Sequence, residues 1–325
     1  MIDFRDRKFL VTGGTGFIGS ALVRALIGRG ARVRCLDNHS RGAQAKLGDA
    51  IRHVEMVTGD VRDPALVVAA VRGMDSVCHC AYVNGTEFFY EKPDLVLEVA
   101  VKGMMNVLDA CVSEGVRDLI VASSSEVYQN APHIPTPEEV PLVVPDVFNP
   151  RYSYGGGKII SELLTINYGR RHFDRAVIFR PHNVYGPDMG TEHVIPQFAL
   201  RMRRAREAPP GAVPFPIQGN GSETRAFVYI DDFTDGLMCV IERGAHLNVY
   251  NIGTSDEVTV ADVARTVAAC FGRTIEIVPG AVQPGSAQRR SPDITKLRRL
   301  GFAPHTTLLE GVSTTVAWYR DNCPD

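Results

Sequence analysis

The sequence predicts an α/β fold built on a doubly wound parallel sheet, followed by a smaller C-terminal domain. Three observations carry this. Between residues 8 and 130 short apolar runs alternate with helical stretches, the pattern of βαβ units. A glycine-rich turn, Thr12-Gly13-Gly14-Thr15-Gly16-Phe17-Ile18-Gly19, joins the first apolar run, Phe9-Leu10-Val11, to the helix that follows. Further on, Tyr154 and Lys158 are four residues apart in Tyr-Gly-Gly-Gly-Lys, just over one helical turn, so phenol and ammonium share a helix face.

Taken in order, residues 8–12, 32–36, 53–57, 75–81 and 117–123 read as strands, with helices at 17–29, 64–72 and 94–114. In the last helix Leu95, Val96, Leu97, Val99, Val101, Met104, Met105, Val107 and Leu108 are apolar on nearly every side, so it is buried on more than one face. The sheet covers one face; a partner subunit is a candidate for the other. Residues 132–150 carry Pro132, Pro135, Pro137, Pro141, Pro145 and Pro150 and form a long loop entering the Tyr154 helix. Ala176-Val177-Ile178-Phe179-Arg180 returns to the sheet. Beyond residue 186 the alternation ends, and Pro209-Pro210-Gly211 and Pro214-Phe215-Pro216 punctuate a smaller region. Parts of the C-terminal third interleave with the first part.

Composition narrows the function. At 325 residues the chain is one large domain or two closely associated ones. Its 35 basic and 37 acidic side chains give no reason to expect nucleic acid or an anionic membrane as partner. No run reaches the ~20 apolar residues of a membrane span. The N-terminus leads directly into the first strand, with no signal peptide visible, and a cytoplasmic protein is expected. Seven cysteines show no CxxC spacing; Cys78 and Cys80 flank His79 on one strand, and buried thiols account for them better than zinc does.

Gly13, Gly16 and Gly19 form a GxxGxxG turn between a strand and a helix that opens with Phe17 and Ile18. Unpaired N–H groups and the helix dipole there face an anion, which makes a dinucleotide diphosphate site of the Rossmann type. Asp37 ends the second strand, where a carboxylate accepts from ribose hydroxyls and repels a 2′-phosphate. NAD is therefore expected over NADP, although Arg41 keeps NADP open. Asn38, Asp60, Val61 and Ala81 complete the predicted cofactor contacts. The division that follows is residues 1–186 for NAD and the Tyr/Lys pair, and 187–325 mainly for substrate.

A free tyrosine, with a pKa of about 10, is a poor base at neutral pH. An ammonium ~4 Å away at an effective dielectric of ~20 supplies up to ~4 kcal/mol, roughly 3 pKa units, and brings Tyr154 toward neutrality. The three glycines between the pair each cost roughly 1 kcal/mol in a helix, which close approach of another backbone or a ligand would explain. Tyr152 has Gly156, not lysine, four residues on. The stretch Arg201-Met202-Arg203-Arg204-Ala205-Arg206 reads as a solvated helix face, and His182 and His193 as structural.

The glycine turn, Ser123-Ser124-Ser125-Glu126-Val127-Tyr128, Tyr154–Lys158, Arg180-Pro181-His182-Asn183-Val184-Tyr185-Gly186-Pro187 and Arg225-Ala226-Phe227-Val228-Tyr229-Ile230-Asp231-Asp232 occur in family order. Together they resemble the extended short-chain dehydrogenase/reductases that act on nucleotide sugars: epimerases, 4,6-dehydratases and UDP-glucuronate decarboxylases. The resemblance runs nearly end to end and is more specific for the superfamily than for the reaction. It implies that Tyr154 is the base, Lys158 its electrostatic partner and a ribose ligand, and Ser124 a hydrogen-bonding partner of the sugar oxygen. It places Asn183 near the substrate diphosphate, Arg225 on it, and Arg290 on the nucleotide. It also implies a homodimer in which the 94–114 helix and the helix beginning near Tyr154 pack against their copies.

Two departures stand out. Where many relatives carry Asn-Val-x-Gly-Thr, this chain has Ala100-Val101-Lys102-Gly103-Met104, so a contact that depends on that asparagine is absent or replaced. After the catalytic hydroxyl stands Ser125-Glu126, a pairing closer to decarboxylases and GDP-mannose dehydratases than to the Asp-Glu of dTDP-glucose dehydratases. Glu126 is then either catalytic or a structural carboxylate. The shared chemistry oxidises the sugar at C4, and the 4-keto sugar is epimerised, dehydrated or decarboxylated. Family prevalence favours epimerisation; Glu126 keeps the lyases open. The remaining alternative is a redox-silent protein that binds NAD and a nucleotide sugar.

Overall fold

The computed structural model describes residues 2–205, 209, 211–281 and 287–323; Arg206 and Pro210 lie outside the described residues. Six parallel strands follow the predicted order: β1 (Lys8–Thr12), β2 (Arg32–Asp37), β3 (Val54–Thr58), β4 (Ser76–His79), β5 (Asp118–Ala122) and β6 (Arg175–Pro181). A seventh, Asn248–Ile252, joins beside β6 with Asn248 opposite Val177, giving the order (Asn248–Ile252)-β6-β5-β4-β1-β2-β3. The winding reverses at β1, between β2 and β4, and opens a crevice at the carboxyl ends of the strands.

Strands β4 and β5 are buried along their whole length because helices cover both faces, which is why they read as unbroken runs rather than alternating ones. On one face Leu22 and Leu26 of helix Phe17–Gly28 pack with Phe179, Phe233 and Leu237, the last two from helix Ile230–Arg243. On the other, Val67 and Val71 of helix Pro64–Val71 pack with Met104, Val107, Leu108 and Ile178. The long apolar helix is three joined pieces: Pro93–Glu98, a π turn at Val99–Gly103, and Met104–Glu114. The chain itself buries Val96, Val99, Met104, Val107 and Leu108, and leaves Leu97 and Val112 exposed.

A third core gathers Phe198, Phe215, Val263, Val312 and Val316 from the C-terminal half. Beside it lies a three-stranded sheet in which Thr224–Ala226 pairs antiparallel with Glu257–Thr259 and parallel with Arg289–Arg290. That register sets Arg290 opposite Arg225. The proline-rich loop reaches the same place, since Thr136 bridges to Pro292. A buried ion pair, Arg180 Nη2 to Glu162 Oε2 at 2.7 Å, ties helix Tyr152–His172 to β6. The described residues contain no helix long and apolar enough to cross a membrane.

Candidate active site

The glycine turn is shaped by close approach. Gly13 has φ +70°, and a Cβ there would lie 2.7 Å from the Ala81 backbone nitrogen. A Cβ on Gly19 would lie 2.0 Å from the Gly13 carbonyl oxygen, so the helix start sits directly on the turn. Gly16 donates to that same carbonyl at 3.1 Å, and Phe17 and Ile18 begin the helix immediately after it. Asp37 is buried, its Oδ2 accepting from Thr15 N at 2.9 Å and its Oδ1 from His39 N at 2.8 Å, which fixes the carboxylate at the mouth of the turn. A cradle with no room for side chains and a fixed carboxylate fit the diphosphate and ribose of NAD. Arg41 is engaged elsewhere: it pairs with Glu192 and lies 5.0 Å from the Phe88 ring centroid. Those partners hold the cation that kept NADP open.

Asn38 and Asp60 come together, with Asn38 Nδ2 donating to Asp60 Oδ2 at 3.0 Å. Asp60 is pushed down to about 2, chiefly by its hydrogen bonds with Arg62. Val61 is buried against Gly103, and Ala81 N donates to Thr12 Oγ1 at 3.2 Å. Asp60 thus ties Asn38 to Arg62, and Val61 packs beside Gly103.

Tyr154 and Lys158 are both buried on helix Tyr152–His172, as the spacing predicts, but their electrostatics differ from expectation. Burial pushes the Tyr154 phenol up to about 12; Ser124, by hydrogen bonding, and Arg290 oppose this, while Glu126 adds to it. Burial likewise pushes Lys158 down to about 7. The expected pull of Lys158 on the phenol is not seen. Its ammonium donates to the Ala122 carbonyl at 2.7 Å and lies 5.9 Å from the Tyr154 ring centroid. Spacing sets the helix face; the carboxyl end of β5 decides where the long side chain ends.

Ser124 caps a short 3-10 turn, Ser125–Val127, its Oγ accepting from Glu126 N at 3.1 Å. Glu126 Oε1 accepts from Arg290 Nη1 at 2.6 Å. Although burial pushes this carboxylate up, Arg290, Arg151 and Arg225 hold it below its usual range. Arg225 is itself pushed down to about 10 by burial and by Arg290. Nε of Arg151 and Nε of Arg290 are buried without hydrogen-bond partners. The cluster is a cationic site beside the phenol. Arg290, expected on the nucleotide, turns its guanidinium to Glu126. Asn183 donates to the Ala226 carbonyl at 3.2 Å and so braces the strand bearing Arg225.

Sequence reasoning missed Tyr82 and Arg151. Tyr82 has no local signal; Arg151 stands just before the helix, after Asn149-Pro150. His182 is held in the core through Asn251, Nε2 to Oδ1 at 3.0 Å, and burial pushes it down to about 3. Burial pushes His193 down to about 4. The basic stretch is less solvated than expected, since Arg201 lies 5.0 Å from the Phe215 ring centroid.

The profile of the NAD dependent epimerase/dehydratase family matches residues 9–253. The chain is 32% identical to UDP-glucuronic acid decarboxylase 5 of Arabidopsis thaliana, across 94% of this chain and 87% of that one. It is 30% identical to a dTDP-glucose 4,6-dehydratase of Streptomyces antibioticus, across 97% and 93%. Among solved structures, the UDP-glucose 4-epimerase of Thermus thermophilus in complex with NAD superposes with a TM-score of 0.84 at 29% identity, covering 97% and 99% of the two chains.

Proposed function

The chain belongs to the NAD-dependent epimerase/dehydratase family, and from that membership we propose that it oxidises a nucleotide-linked sugar at C4 and consumes the 4-keto sugar by elimination. NAD, which the Gly13–Gly19 turn and Asp37 would hold, would supply the hydride acceptor and donor. Tyr154 takes the C4 hydroxyl proton, Ser124 hydrogen-bonds the same oxygen, and Lys158, anchored on the Ala122 carbonyl, supplies a positive charge and a ribose ligand. Arg225, with Asn183 bracing its strand, meets the substrate diphosphate through a fork of donors.

The observation that carries the elimination reading is Glu126, a carboxylate held ionised by arginines beside the phenol. Dehydration needs a base for the C5 proton as hydroxide leaves C6; decarboxylation needs a carboxylate to orient the substrate and handle protons. Epimerisation, preferred on family prevalence alone, needs only hydride return to the opposite face. Mass spectrometry of products from a panel of nucleotide sugars separates the three. Loss of water or carbon dioxide is expected; a product of unchanged mass returns the reading to epimerisation, and turnover of none supports the redox-silent alternative.

Residues 1–186 form the NAD-binding and catalytic part in this reading, and 187–325 mainly the substrate-binding part. The cofactor released on denaturing the purified protein is expected to be NAD, because Asp37 is fixed and Arg41 is paired. Recovery of NADP alone would sink that argument. A homodimer is supported by the exposed Leu97 and by Leu163, 59% exposed on the helix that carries Tyr154. Light scattering at micromolar concentration is expected to give the dimer mass. Seven unpaired cysteines suit the reducing cytoplasm.

A further inference from the structure

We propose that Tyr82 is a positioning residue for Lys158, presenting its ring face to the buried ammonium and fixing it at the reacting end of the crevice; this rests on the reading of Tyr154 and Lys158 given above. The ammonium lies 3.7 Å from the Tyr82 ring centroid. A lysine has three donors, and a hydrogen bond to the Ala122 carbonyl uses one of them. A π face is a natural partner for a cation taken out of water.

Gly157 leaves room for the Tyr82 side chain. A Cβ on Gly157 would lie 2.3 Å from the Tyr82 hydroxyl and 2.7 Å from the Ala100 Cβ. Gly157 belongs to the glycine triplet between Tyr154 and Lys158, and Ala100 stands in the π turn Val99–Gly103. A glycine at 157 thus leaves room both for the Tyr82 hydroxyl and for the close approach of Ala100. The Tyr82 hydroxyl donates to the Tyr154 carbonyl at 3.4 Å, and its ring meets the Tyr154 ring edge-on at 5.1 Å. The titratable groups around Lys158 are Tyr154 and Glu162 on its own helix, His79 and Cys80 at the end of β4, and Tyr82.

The test is an NMR titration of the lysine side chains, with Lys158 identified by its loss in Lys158→Met. Removing the ring in Tyr82→Leu leaves the ammonium less stabilised, so it loses its proton at lower pH. A shift of about one unit is expected, a roughly ten-fold change in the protonation equilibrium. The alkaline limb of turnover should move down by the same amount. Tyr82→Phe keeps the ring and should hold both titration and limb near the wild-type pH. Tyr82→Met, flexible and of similar reach, replaces the leucine variant if that fails to fold. An unshifted Lys158 in the ring-deleted protein overturns the proposal, as does a shift in Tyr82→Phe as large as in Tyr82→Leu. Normal turnover by Tyr154→Phe would instead defeat the underlying reading, while the titration still reports on the contact itself.

Discussion

Replacing Tyr154 by phenylalanine is expected to lower turnover by at least ~100-fold, the lower end of what general acid–base catalysis supplies. The substitution removes one oxygen and keeps the ring that stacks on Phe89 at 4.9 Å and meets Tyr82 edge-on, so the fold and the cofactor crevice should survive. The released nucleotide, measured after denaturation, should match that of the parent protein. With the phenol pushed up to about 12, its ionised form is scarce at neutral pH and grows as pH rises. The charge of Lys158, pushed down to about 7, is lost over the same rise. Opposed trends of this kind give a bell-shaped dependence of turnover on pH, and Tyr154→Phe should abolish the activity on both sides of it. Near-normal turnover on an identified substrate would remove Tyr154 from the mechanism.

Glu126→Gln is expected to cost ~100-fold or more in turnover if the keto sugar is consumed by elimination, because the amide cannot take a proton. The step before it, oxidation at C4, does not use the carboxylate, so reduced cofactor should accumulate and be visible by absorbance. The glutamine oxygen can still accept from Arg290, which preserves the shape of the 2.6 Å contact while removing the charge. A thermal melt close to that of the parent would separate chemistry from damage. A loss below ~10-fold, the scale of one perturbed hydrogen bond at ~1 kcal/mol, would restore epimerisation as the better reading.

What sequence alone made legible was local. The strand–turn–helix around Gly13 to Gly19 involves neighbours in the chain, and its close approaches explain the glycines with few distant residues, Ala81 and Cys35 among them. The apolar runs of β1 to β6 and the shared helix face of Tyr154 and Lys158 follow from periodicity in the same way. The strand Asn248–Ile252 went unread because Asn248 and Asn251 break its apolar run; Asn251 is buried only because Tyr128, Thr136 and His182 supply its hydrogen bonds.

Tertiary structure decided the charges. Residues 164 positions apart meet when Arg290 reaches Glu126, and a three-stranded register sets Arg290 beside Arg225. The Tyr154 phenol is pushed up rather than down because burial penalises its ionised form and the lysine is drawn to the carbonyl that ends β5. Tyr82 meets Lys158 with its hydroxyl in the space that Gly157 leaves, far from it in the chain. Periodicity fixes which face a side chain occupies. Desolvation and the choice among distant partners arise only when the elements are packed, and those set the protonation states on which the chemistry depends.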